Sequence, residues 1–257
     1  MRAHGYAVKK LVVLSLALAS PATAAERGLS ITDFDRLRVD GSFTVVVTTG
    51  RGTSARIVGT PAAIDASSVE VQGRTLTIRR NRNAWGSSSG QDNIAPVVRV
   101  TAPLLTNVWV SGPAKVSVDR MKGLRVAVSL EGAGEITIAA LTADRLDVAT
   151  VGSGTMTLAG TVANLTLVAR GAGTIDAAKL AVADAKVTSE SAGAVMLAAK
   201  RSANVIMTGT GSVIVIGKPA CTVRNVGSGT VTCGAKEVPV PPVLPEEPAA
   251  DQPRPRR

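Results

Sequence analysis

Aromatic side chains are nearly missing from this chain of 257 residues: two Phe, two Trp and one Tyr, 2% of the total. There is one histidine, His4, and there are two cysteines, Cys221 and Cys233. Each shortage excludes something. His4 falls in an N-terminal leader, so the rest of the chain has no imidazole, the commonest general base and metal ligand. The cysteines are too far apart for a CxxC redox motif, and no histidine can join them around a metal. Stacked sugar clefts use aromatic faces, and only Phe34, Phe43, Trp85 and Trp109 remain after the leader. Long apolar runs are missing too, and beyond the leader nothing approaches the length of a transmembrane helix. We therefore expect a non-enzyme with no cofactor and no metal.

The leader is residues 1–25, "MRAHGYAVKKLVVLSLALASPATAA". Arg2, Lys9 and Lys10 precede an apolar run from Leu11 to Ala19, and small residues follow. This is the pattern of a secretory signal cut near Ala24/Ala25, and it predicts an exported protein, periplasmic or secreted. At the other end, residues 235–257 read "AKEVPVPPVLPEEPAADQPRPRR". Proline density without an apolar period predicts a disordered tail. Between them, residues 26–234 form the expected folded domain. Removing the leader takes three of 29 basic residues and no acidic one, which lowers the net charge from +10 to +7. For an exported protein, such a surplus points to anionic envelope polymers or lipid surfaces rather than nucleic acid. The densest basic stretch, "RTLTIRRNRN", offers Arg74, Arg79, Arg80 and Arg82 as contacts to an anionic surface. A solvated strand face is its simplest explanation.

What the sequence has in abundance is Val, Ile, Leu, Thr, Ala and Gly in short alternating runs. "GSFTVVVTTG", "RTLTIRR" and "PVVRVTAP" read as strands, and no stretch carries a helical period. A glycine-containing corner also recurs. Its first position is Gly112, Gly132, Gly152, Gly171, Ser191, Gly209 and Gly227, at steps of 18 to 20 residues. Two residues later stand Ala114, Gly134, Gly154, Gly173, Gly193, Gly211 and Gly229. Four residues before each corner the side chain is apolar, from Val108 and Val128 to Val205 and Val223. The positions four and six residues after it are apolar as well, Val116 and Val118 in the first unit, Val231 and Cys233 in the last. A period of two within each unit means strands with one face inward. A period near 19 between units means stacked coils that share one core. The prediction is an all-β fold, a right-handed parallel β-helix or β-solenoid with coils of about 18–20 residues. Seven coils at about 4.8 Å per rung give a stack about 30 Å long. A phosphate-binding glycine loop would need a helix after the turn. Here each corner leads into another strand, so the glycines are bends that let coils stack closely.

The runs "ITDFDRLRVDGSFTVVVTTG" and "VVRVTAPLLTNVWVSGPAKV", with the glycine-studded second half, resemble the GIN-domain heads of proteins called "putative autotransporter adhesins". The resemblance covers residues 30–234 and implies a β-helical fold and an adhesin-like role.

Cys221 and Cys233 lie six residues before and six after the corner Gly227, on inward columns of the last coil. If the chain reverses at that corner they face each other, and an exported protein can keep the disulfide. Two buried free thiols are the alternative. Glu131 and Glu190 share a corner position three coils apart, about 14 Å at strand spacing, too far for paired glycosidase carboxylates. Glu131 and Glu135 flank one corner and read as a solvated pair. Thr155, Thr157, Thr174, Thr230 and Thr232 share an outward face that Ala194, Met196 and Ile214 interrupt. Met196 and Ile214 leave a locally apolar face suited to a partner or a second copy. The functional expectation is an exported, non-enzymatic, adhesin-like binding protein. Its expected partner is an anionic envelope polysaccharide or a protein. The alternatives are a polysaccharide-binding or pectinase-like β-helix and a structural envelope component.

Overall fold

The computed structural model describes residues 25–81 and 95–236. Residues 1–24 of the expected leader, Arg82, Trp85 and residues 237–257 of the proline-rich segment lie outside the described residues. The first half has short elements: β1 (Ala25–Leu29), β2 (Arg36–Asp40), β3 (Thr44–Thr49), β4 (Ser54–Gly59), α1 (Pro61–Asp65), β5 (Ser67–Gln72), β6 (Thr75–Arg80), β7 (Val97–Ala102) and β8 (Asn107–Ser111). The second half winds in long runs: β9 (Lys115–Gly132), β10 (Glu135–Gly152), β11 (Thr155–Gly171), β12 (Thr174–Ser191) and β13 (Ala194–Met207). It ends in β14 (Ser212–Ile216), β15 (Ala220–Asn225) and β16 (Thr230–Ala235). All are joined in one sheet that coils into a β-solenoid of about six turns.

The stacking register is the one the repeat predicts. Val116, Ile136, Met156, Ile175, Val195, Val213 and Val231 are successive parallel partners. So are Val108, Val128, Val148, Leu167, Val187, Val205 and Val223. Except for Val223 and Val231 in the last turn, these side chains are buried. A coil this thin has no interior of its own, so its valines leave water only where the next coil covers them. Each long run also bends. In β9 the buried positions go from Val118 to Met121 and then to Val126, breaking the period of two. Irregular pairing between Ile138 and Leu141 marks the same bend one turn on.

The corners divide into two kinds. Gly112, Gly132, Gly152 and Gly171 have φ between +93° and +120°, where only glycine is relaxed. From Ser191 onward the first position does not need positive φ. Ser191 is buried, and its hydroxyl donates to the Gly171 carbonyl at 3.1 Å and accepts from the Gly193 amide at 2.9 Å.

The first half contains a corner that the repeat count omits. Gly41 (φ +107°) sits directly over Gly112, because Asp40 pairs with Ser111 and Thr44 with Lys115. Leu37, Val45 and Val47 stand four before, four after and six after it, in the same inward columns. The next corner comes 71 residues later, because the intervening chain makes another rung out of order. β6 and β7 stack outside β2 and β3. β4 then pairs antiparallel with β7, β5 with β6, and β1 with β4. These antiparallel strands close one end of the stack. The helix α1, absent from the sequence expectation, sits beside them. Pro61 starts it and the Thr60 hydroxyl accepts from the Ala63 amide at 3.2 Å. Five residues are too few to display a period of 3.6.

The other end is open among the described residues. β15 pairs only with β13, and β16 only with β14. Every residue of β15 is exposed, Val223 at 45%, and Val226 just after the strand is 67% exposed. Cys221 and Cys233 form the expected disulfide across this last turn, Cα to Cα 6.6 Å. Both continue inward columns, Cys221 under Ala203 and Cys233 under Val215. Cys221 is nevertheless exposed, because no further turn of the described residues covers it.

Candidate binding groove beside the capped end

On the side formed by β6, β2 and β8, outward positions of three out-of-order strands meet. Thr77 pairs with Arg38 and Arg38 with Trp109. The Arg38 guanidinium lies 3.8 Å from the centroid of the Trp109 ring, a cation–π stack. Its Nε donates to Asp40 at 3.1 Å, and the Trp109 indole N–H donates to Glu131 at 3.2 Å. Arg38, Asp40, Glu70, Thr77, Arg79 and Arg80 line an open groove of about 700 Å³. Three guanidinium groups there face two carboxylates.

The structure divides the basic stretch. Arg79 and Arg80 reach the groove, and Arg79 pairs with Glu70 at 3.4 Å. Arg80 has no carboxylate partner among the described residues. Arg74 does not line the groove. It pairs at 2.8 Å with Asp35, whose hydrogen bond and charge raise its already high pKa further. Asp35 Oδ1 is buried without a partner, so the ion pair to Oδ2 is what holds that carboxylate. Arg82 is outside the described residues. Arg38, Asp40, Glu70 and Trp109 were not singled out from the sequence. For Arg38, Asp40 and Trp109 the signal was the outward position in "LRVD" and "NVWVS", which aligns only once Gly41 is recognised as a corner, whereas Glu70 comes in on β5 through its antiparallel pairing with β6.

The other candidate residues stay apart or engaged. Glu131 and Glu190 occupy one column through Val151 and Arg170, three rungs apart, and Arg170 holds Glu190 at 3.0 Å. Glu135 faces Lys115 at 3.7 Å. Asp119 accepts from the Thr49 amide at 2.9 Å and hydroxyl at 3.1 Å. Among the described residues no three His, Cys, Asp or Glu side chains group as metal ligands. The outward threonines do stack, Thr137 on Thr157 and Thr155 on Thr174, before Asp176, Met196 and Ile214 break the row.

These features define a class: a parallel β-solenoid, capped at one end, that presents open side surfaces. The chain belongs to the family described as "Putative auto-transporter adhesin, head GIN domain", whose pattern matches residues 33–219. Its fold is similar to that of solved structures. A "putative adhesin" from Bacteroides fragilis superposes with a TM-score of 0.76 at 22% identity, over 82% of this chain and 97% of that one. A "putative adhesin" from Parabacteroides merdae gives 0.63 at 19%, over 81% and 95%. A "Putative lipid binding protein" from Parabacteroides distasonis gives 0.62 at 18%, over 81% and 96%. No curated protein matches. No helix among the described residues is long and apolar enough to cross a membrane.

Proposed function

We propose that this is an exported, non-enzymatic, adhesin-like protein that binds anionic cell-envelope polysaccharide in the groove beside Trp109. The observation that carries this reading is the stack of Arg38 on Trp109 next to Arg79 and Arg80. Guanidinium groups suit sugar carboxylates and phosphates bidentately, and the Trp109 ring holds Arg38 in place for that contact. Asp40 and Glu70 are each held by an arginine, which favours binding over acid–base chemistry at that site. Export is supported by the leader pattern and by the disulfide. The test is binding to isolated acidic and neutral envelope polysaccharides across a salt titration. Binding should favour acidic polymers and weaken with salt. Arg79→Glu with Arg80→Glu, or Trp109→Ala, should reduce it by about tenfold. Binding indifferent to these changes would remove the groove from the function.

A further inference from the structure

A second groove, also of about 700 Å³, runs along a different side of the solenoid and shares no residue with the first. Its floor includes Ala143 and Val162, which stack on Gly123 in successive turns. Leu104 and Leu124 stand at one end, with Lys122 beside them and Lys200 at the far end. Leu124 is 80% exposed and Leu104 41%. Leu124 lies within β9 and Leu104 in the turn between β7 and β8, both in water, and an exposed apolar patch of that kind marks a contact.

The charge around the patch is one-sided. The segments 119–125, 139–145, 159–164, 178–184 and 198–202 connect the sides of successive turns here. Together they carry seven cations and three carboxylates. Asp119 is taken by Thr49, and Asp184 by Ser202 and Arg201. Arg125 and Arg145 are direct register partners, like charges on adjacent rungs, with no carboxylate partner among the described residues. Like charges directly opposite on neighbouring strands are mildly destabilising, and an anionic surface over them would offset that repulsion.

We infer that this side docks on an anionic lipid bilayer. Leu104 and Leu124 enter the boundary between headgroups and acyl chains, while Lys122, Arg125, Arg145 and Lys200 meet the lipid phosphates. Stable attachment to a membrane surface takes an apolar and an electrostatic signal together, and this side has both. An acidic polysaccharide would use the cations and leave the leucines in water. A soluble fatty acid would need an enclosed pocket, and this groove is open along its length.

The experiment is sedimentation of the full chain with vesicles of phosphatidylglycerol mixed into phosphatidylcholine, with phosphatidylcholine vesicles alone, and with acidic polysaccharide. Vesicles containing phosphatidylglycerol should bind at least about tenfold better than phosphatidylcholine alone. Leu124→Ser should weaken vesicle binding about fivefold without moving the unfolding midpoint, since the side chain is already in water. Arg125→Glu with Arg145→Glu should abolish the preference for phosphatidylglycerol. Equal binding to both vesicles, or to neither, overturns the inference. So does vesicle binding unchanged by Leu124→Ser, and polysaccharide binding that depends on Arg125 and Arg145 would assign this side to a polymer instead. Arg79→Glu should leave vesicle binding unchanged, so failure of either reading is distinguishable from failure of the other.

Discussion

At the scale of single residues, the corner glycines do two separate jobs. Gly132 needs its φ of +104°. Gly134 does not have positive φ, but a Cβ there would stand 2.7 Å from the Ala114 carbonyl oxygen and 2.8 Å from that of Gly112. Backbone cannot yield as a flexible side chain can. Gly134→Ala is therefore expected to destabilise the domain by about 1–3 kcal/mol in denaturant unfolding. Gly52→Ala, with nothing within 4 Å of the new Cβ, should stay within about 0.5 kcal/mol of the parent. Equal effects would mean that the rungs can spread. Asp184 offers a test by pH. A hydrogen bond from the Ser202 hydroxyl at 2.7 Å, helped by Arg201, holds its carboxyl below the ordinary value. A carboxyl with a lowered folded-state pKa stabilises the fold above the usual carboxylate range. That contribution is lost as pH falls through the folded-state pKa. Ser202→Ala should move the Asp184 titration upward in NMR, and an unmoved midpoint would remove the hydroxyl as the cause.

At the scale of elements, the two ends of the stack behave differently. Among the described residues β15 and β16 have a neighbour on one side only and little buried area, so the disulfide adds to the strand pairing that holds them. Closing so short a loop contributes on the order of 3 kcal/mol. In a stack with nearest-neighbour coupling, that loss stays local. Cys221→Ser with Cys233→Ser should speed amide exchange in β15 and β16 and leave protection in β10 and β11 nearly unchanged. A parallel loss of protection along all turns would show that the whole stack unfolds as one unit. At the opposite end, β1 covers the edge of β4 over five residue pairs. Removing residues 25–30 exposes that edge, and exposed edges associate. Larger species in light scattering are expected, while a monodisperse monomer would show that β4 is protected by other means.

At the scale of the whole molecule, sixteen strands form one continuous sheet, and the two grooves described above lie on its sides. The candidate binding surfaces are spread over sides. One side carries the Trp109 groove, another the leucines with their surrounding cations, and a third the threonine rows. Rigid stacking fixes the spacing of outward residues at about 4.8 Å from turn to turn, so a substitution on one side should leave the others intact. Each side can therefore be tested separately, by polymer binding for the first and vesicle binding for the second.

The repeat from Gly112 onward was readable in the sequence because each coil contributes the same columns to its neighbours. The residue at each step must be apolar if it points inward and small if it stands at the corner. The disulfide was readable for the same reason, since equal offsets from Gly227 place both cysteines across one turn. Gly41 obeyed the same spacing but was hidden, with Phe43 where the other corners have a small residue and a 71-residue step to Gly112. Only the tertiary structure decided that β6 and β7 stack outside β2 and β3, because strand pairing across an insertion depends on which edges remain free, not on local periodicity. That choice brings Arg38, Arg79, Arg80 and Trp109 together from three distant stretches. A sequence period orders residues along neighbouring coils, but it cannot say which coil the chain returns to after it has left the stack.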